Sequence, residues 1–322
     1  MKSVAVSITR LRSIVGISLT LAAALATAAY PEKPVRFVVP YGPGGATDIV
    51  ARSIAVRLSD AWGQSVIVDN RGGAGGIVGS EVVARAAPDG YTVLLATTAN
   101  AAQVAMHSKL PFDLLRDFAP VTQLIEAPFV LTANPKVAGS LKELIATAKA
   151  KPGALNYATV GGSNSLMMEM VKSMSGTDIT AVPYKGVGPA LIDLTAGRVH
   201  MMFFSIGVAQ PYVKDGRLRA LGVTTLKRVP VLPGVPSISE TLPGYELTPW
   251  YGVLVPARTP RQIIDKLHAD MTRILKLPEI QESYMQQGFL PVGSTPQAFA
   301  AHMRSEITKF QRIVKDAKLK PE

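Results

Sequence analysis

The chain has 322 residues, a formal charge of +11 and no cysteine, and 48% of it is hydrophobic against 18% charged. That composition belongs to a globular chain long enough for two ordinary cores, not to a disordered one. The missing thiols exclude disulfides, zinc–thiolate sites, thiol catalysis and a lipid-modified N-terminal cysteine.

The first 29 residues stand apart. Lys2, Arg10 and Arg12 form a positive front, Ser13 to Leu25 is apolar, and Ala26-Thr27-Ala28 supplies a small-x-small pattern, so the segment reads as a secretory signal cut near Ala28 or Ala29. The apolar run is shorter than the ~20 residues of a spanning helix, and no later segment qualifies. Cleavage removes three cations and no acid, which takes the charge from +11 to +8. A basic exported protein favours anionic partners in general. The cations are scattered and do not interleave with the aromatics, so nucleic acid is not an expected partner.

Val35 to Val39 is a buried-type strand, and it runs into Gly42-Pro43-Gly44-Gly45 and then into a helix capped by Thr47 or Asp48, with Ile49, Val50, Ile54 and Leu58 on its apolar face. Such a turn leaves backbone N–H groups free and aims them, with the positive helix end, above the strand. An anion fits there, although the glycines also suit a plain structural turn.

Ser65 to Asp69 is a second strand, followed by the glycine-rich stretch Asn70 to Glu81. A dinucleotide fingerprint fails in detail, because Gly73 and Gly75 fit but Val78 holds the third position; the stretch reads as structural, and no cofactor is expected. The strand Tyr91 to Ala96 ends in Thr97-Thr98-Ala99-Asn100, hydroxyls and an amide suited to a polar ligand or to capping. Phe118 to Ile125 and Phe129 to Ala133 are short strands before a boundary at Asn134-Pro135.

The alternation then restarts with a capping box at Ser140 and Glu143, a strand at Leu155 to Val160, and a second glycine- and hydroxyl-rich turn, Gly161 to Ser165. This turn feeds a helix whose Met167, Met168, Met170 and Met174 read as core. Strands at Ile179 to Tyr184, Val199 to Phe204 and Arg217 to Thr224 follow, with a helix at Ala190 to Ala196. The proline-punctuated stretch from Pro230 to Pro249, holding only a short helix at Ser237 to Glu240, suits a crossing between domains, and Trp250 to Val255 is the returning strand. Two amphipathic helices, opened by Thr259-Pro260 and Thr295-Pro296, close the chain.

Enzyme chemistry finds little support. His107, His200, His268 and His302 are far apart, the last two on the surface side of tail helices, and no metal-spaced histidines or G-x-S-x-G elbow occur. Ser163 resembles a nucleophile turn but lacks the final glycine and a visible base.

Seven stretches together carry a resemblance: Tyr30 to Asp48, Val68 to Gly76 (VDNRGGAGG), Ala87 to Leu95 (APDGYTVLL), Asp117 to Val121, Leu155 to Ala158, Val182 to Gly186 (VPYKG) and Val292 to Phe299. In this order and spacing the chain resembles the periplasmic substrate-binding receptors of tripartite tricarboxylate transporters, the Bug proteins, over essentially all of its mature length. The resemblance implies an α/β fold of the type II periplasmic-binding class, a Venus flytrap of two α/β domains around a cleft. The first domain takes residues 30–130 and 251–322, and the second takes 131–250.

It also implies capture of a small organic carboxylate, a periplasmic location, and a membrane transporter as partner. A monomer is expected. Carried over by position, the ligand-binding residues are Tyr41, Gly44, Gly45, Ala46 and Thr47 of the first loop, Thr97 and Thr98, and Ser163, Asn164, Ser165 and Tyr184 of the second domain. Asp48 matches the motif but is expected to cap the helix, since its charge would repel an anion.

Where relatives often have Phe-Asp-Asn, this chain has Phe203-Phe204-Ser205. Loss of that acid implies a ligand without an amine, an aromatic or plain mono- or dicarboxylate stacked near Phe204 beside Ser205. Two other functions compete with uptake: a sensory receptor of the same fold reporting to a membrane kinase, and an exported hydrolase, disfavoured by the missing base.

Overall fold

The computed structural model describes residues 30–160 and 163–316, with only the backbone of Ser163 and Asp316. The signal-like segment 1–29 and the turn residues Gly161 and Gly162 lie outside the described residues.

Two sheets organise the chain. The first contains β1 (Val35–Val39), β2 (Val66–Asn70), β3 (Thr92–Thr97), β4 (Phe118–Glu126), β10 (Trp250–Pro256) and β11 (Leu290–Pro291), in the order β11-β4-β10-β3-β1-β2. The second contains β5 (Phe129–Ala133), β6 (Asn156–Thr159), β7 (Thr180–Pro183), β8 (Met201–Ser205) and β9 (Arg219–Val223), in the order β7-β6-β8-β5-β9. In the first sheet β1 lies parallel to β2 and β3, so three strands deliver their carboxyl ends to one edge. The returning β10 is antiparallel to β3 and β4 and sits inside the sheet. The second sheet likewise pairs β6 parallel to β7 and β8.

Two connections join the lobes, Ala127-Pro128 and residues 224–249. Because β5 already pairs with β8 and β9, the crossing precedes Phe129 and not the boundary read at Asn134-Pro135. Asn134 is instead buried and ties the end of β5 to Leu194 and Thr195 through Nδ2.

Helices cover both sheets. The turn after β1 feeds α1 (Ala46–Trp62), that after β2 feeds α2 (Ile77–Ala84), and β3 runs directly into α3 (Thr98–Met106). The second lobe adds α4 (Leu141–Ala150), α5 (Ser163–Ser175), α6 (Val187–Thr195) and α7 (Ile206–Lys214). The tail forms α8 (Arg261–Leu275), α9 (Pro278–Gln286) and α10 (Pro296–Asp316). In α8 the buried Ile264, Leu267, Met271 and Ile274 follow the helical repeat and seal the first sheet beside α1.

The cap of α1 is Gly45, not Thr47 or Asp48, and Ile49 faces outward while Val50, Ala51, Ile54 and Leu58 are buried. Met167, Met168 and Met170 are core, and Met174 is exposed.

One apolar cluster runs through both lobes. It joins Leu94, Phe299 and Met303 of the first lobe to Leu131, Phe203, Met167 and Tyr245 of the second, with Trp250 fully buried among them. Trp250 stacks edge-on with Phe299 at 5.3 Å and donates its indole N–H to Glu306 at 3.2 Å. Gly252 makes this packing feasible, since a Cβ there would lie 2.3 Å from the Phe299 ring. His302 stacks on Trp250 at 5.6 Å, and His268 bonds the carbonyl of Ser294 at 3.1 Å. Both histidines are half-buried structural groups, which corrects the surface placement read from helical spacing.

Candidate functional site

The site grows from the three parallel strand ends. Strands that stop side by side leave a crevice above their carboxyl ends, and here each end is followed by a turn or a helix start. The loops are bound to one another. Asn70, the last residue of β2, donates from Nδ2 to the Tyr41 carbonyl at 3.1 Å and to Asp48 at 3.0 Å. The Tyr41 hydroxyl meets Thr97 Oγ1 at 3.1 Å and donates to the Gly75 carbonyl at 3.3 Å. Gln103 of α3 donates to the same carbonyl at 2.7 Å. A side chain at Gly79 would stand 2.7 Å from the Arg71 carbonyl, so α2 can lie against the first loop only with glycine there.

Asp48 does not face the cleft as a cap. It accepts from the Gly44 N–H at 2.9 Å and from Arg52 at 2.9 Å, which braces the loop from beneath. The bond from Arg52, with further bonds from Gly44 and Asn70, holds its carboxyl down to about 2 against the opposing cost of burial. Because Gly45 offers no side-chain cap, the N–H groups of Ala46, Thr47 and Asp48 have no partner within α1. The positive end of α1 is therefore left open toward whatever occupies the crevice.

A cavity of about 580 Å³ lies in front of these amides. Tyr41, Gly45, Ala46, Thr47, Thr97 and Thr98 line it as read from the sequence. Phe129, Val160 and Leu166 reach it from the second lobe, so the first loop and these second-lobe residues open onto one space. Pro249, Tyr251 and Phe310 complete the rear. Among the described residues lining it, none is Asp, Glu, Lys or Arg. Burial pushes the Tyr41 hydroxyl up, partly offset by its bond to Thr97, and raises that of Tyr251 further. Both phenols thus stand as neutral donors at physiological pH.

Several sequence-derived roles change. The Thr98 hydroxyl, on a residue only 3% exposed, accepts the Trp250 N–H at 2.7 Å, so it joins α3 to β10. Thr97 Oγ1 accepts from Ala99 N–H at 3.2 Å while Asn100 Oδ1 accepts from Thr97 N–H at 2.8 Å, which closes a capping box on α3. Gly44 turns the loop with a φ of 85° and does not line the cavity.

In the second lobe Asn164 is buried and donates to the Phe203 carbonyl at 2.7 Å, and Ser165 bonds Thr159 at 2.6 Å. Tyr184 donates to Asp193 at 2.8 Å, and Ser205 precedes α7 without capping it by its side chain. Phe204 is 1% exposed inside the second-lobe core, so the aromatic face expected for a ligand is not offered by that residue. The physical reason is that β8 is covered on both faces, and Met201 to Phe204 are all buried. The stretch read as structural, in turn, contributes Ala74 and Gly75 to the wall. Gln103, Met106 and His107 of the α3 region were not singled out as ligand-binding at all. Among the described residues no group of three or more His, Asp or Glu side chains is placed to hold a metal.

A family profile described as "Tripartite tricarboxylate transporter family receptor" matches residues 50–319. Protein BugT of Bordetella pertussis is 35% identical over 325 residues, covering 98% of this chain and all of BugT. Among solved structures, R. palustris Rpa4515 with adipate is 35% identical at a TM-score of 0.79, covering 91% of this chain and 100% of that one. MatC (Rpa3494) from Rhodopseudomonas palustris with bound malate is 32% identical at a TM-score of 0.74, covering 88% of this chain and 100% of that one. With a family match over most of its length and relatives aligned nearly end to end, this two-lobed α/β chain belongs to the tripartite tricarboxylate transporter receptor family of periplasmic solute-binding proteins.

Proposed function

We propose that the protein is an exported receptor that captures a small amine-free organic carboxylate between its lobes and presents it to membrane transporter subunits. One observation carries the reading: the uncapped amino end of α1 opens onto a cleft whose described wall holds no charged side chain. An anion is then met by the amides of Ala46, Thr47 and Asp48, with the hydroxyls of Tyr41 and Thr97 beside them. An ammonium group would find no carboxylate there, and its desolvation would go uncompensated. Relatives with adipate and malate support the carboxylate class. The second lobe meets the ligand with Phe129, Val160 and Leu166.

The test is calorimetry of the mature protein against amine-free acids and the matching amino acids. Occupation at a hundredfold excess over Kd stabilises by about 2.7 kcal/mol, so a thermal-shift screen reports the same event. Tight binding of an amino acid with none of its deaminated counterpart would refute the reading.

A further inference from the structure

The cleft has a direction. Thr98, Ala99, Ala102, Gln103, Met106 and His107 all line it, and their spacing is a single stripe along the whole of α3. The anion-binding end is fixed at the start of that stripe, because Tyr41 of the first loop bonds Thr97 there. From Thr98 to Met106 the helix rises about 12 Å. The middle of the path is apolar: Ala99, Ala102 and Met106 on one side and Val160, Leu166 and Phe310 across from them.

At the far end stands His107, half-buried, which lines both this cleft and an adjoining recess of about 570 Å³ that also holds Lys109 and Arg116. Arg116 is engaged by Asp117 at 2.8 Å, and Lys109 is exposed. The end of α3 itself presents the negative pole of its dipole, so an anion held here depends on the imidazole N–H and the neighbouring ammonium.

We infer that His107 is a second ligand-binding residue, and that the receptor takes an extended α,ω-dicarboxylate with one carboxylate on the α1 amides and the other at His107. This rests on the carboxylate reading above and narrows it. Subtracting a charged hydrogen bond at each end from the length of the stripe leaves about 6 Å, room for a chain of roughly five or six carbons.

The experiment is calorimetric titration of the full mature chain, wild type and the variants His107→Ala and His107→Gln. The probes are the linear diacids from succinate to sebacate and the linear monoacids of matching length. In the wild type the optimum falls at glutarate to adipate, bound about tenfold or more tighter than the matched monoacid. His107→Ala erases that preference and leaves monoacid affinity and the melting temperature in place, while His107→Gln, which still offers an N–H, restores part of it. Diacids no better than monoacids in the wild type, or a preference that survives His107→Ala, overturn the second subsite while the carboxylate reading stands. Failure of every acid to bind the wild type overturns both.

Discussion

Ala46→Pro isolates the donor on which the site depends. Ala46 is the first residue of α1, so its N–H has no bond inside the helix to lose, and proline is well tolerated at that position. Gly45 before it already holds φ −83° and ψ 172°, the extended conformation that a following proline demands. The substitution therefore removes one amide from the cleft with little effect on the fold. A hydrogen bond from such an amide to a carboxylate contributes about 1.5–3 kcal/mol, which corresponds to roughly 10- to 150-fold in Kd.

The assay is calorimetric titration with the tightest acid of the panel, beside a thermal melt of the unliganded variant. Ala46→Gly, which keeps the N–H, is the matched control and should bind within about threefold of the wild type, because glycine near a helix start costs little. Ala46→Pro melting normally and binding as tightly as the wild type would mean that the ligand does not rest on the amino end of α1.

Other substitutions separate fold from site. Thr98→Val leaves the buried Trp250 N–H without its acceptor and should cost about 1–3 kcal/mol in urea unfolding while sparing ligand affinity; the opposite pattern would return Thr98 to the ligand. Asp48 is held down to about 2 from its ordinary value of 3.8, so its stabilisation is complete above pH 4 and fades as pH falls toward 2. Asp48→Asn should accordingly lower stability by about 1–2 kcal/mol at pH 7 and bring the two proteins together near pH 2, read by urea unfolding across that window. Where the start of α7 meets the loop after α9, a Cβ on Gly207 would stand 2.8 Å from the Gln287 carbonyl. Gly207→Ala should thus lower the melting temperature and shift the scattering radius of the liganded protein, at a cost of about 1–3 kcal/mol.

What could be read in the chain beforehand follows the range of the forces involved. The strands of both sheets, except the two-residue β11, and helices α1, α8 and α10 announce themselves through apolar periodicity and capping, all local signals. Helix α3 escaped because Thr98 to Met106 is alanine-rich and lacks a large apolar stripe; its one local mark was the Thr97 and Asn100 capping pair. Helix α7 contains Gly207 and Pro211, which read as breakers until packing overrides them.

In the first-lobe half, Tyr41 and Gly45 to Thr47 were legible because one contiguous loop carries them, whereas Ala74, Gly75 and the stretch from Gln103 to His107 were not. The opposite wall was not, since Phe129, Leu166 and Phe310 are brought together from elements up to 181 positions apart, and nothing in an apolar residue's neighbours distinguishes wall from core. Phe204 misled for the same reason, since the second-lobe core that covers it is remote in sequence, as is Trp250, whose N–H the Thr98 hydroxyl accepts while Thr98 still lines the cleft.

The cluster around Trp250 has a consequence for how the molecule comes apart. Severed at its two crossings, neither half would own a sealed interior, because each contributes part of the same greasy seam. Heating should then give a single calorimetric peak, with van't Hoff and measured enthalpies in agreement. An occupant of the cleft should move that peak as a unit instead of splitting it in two.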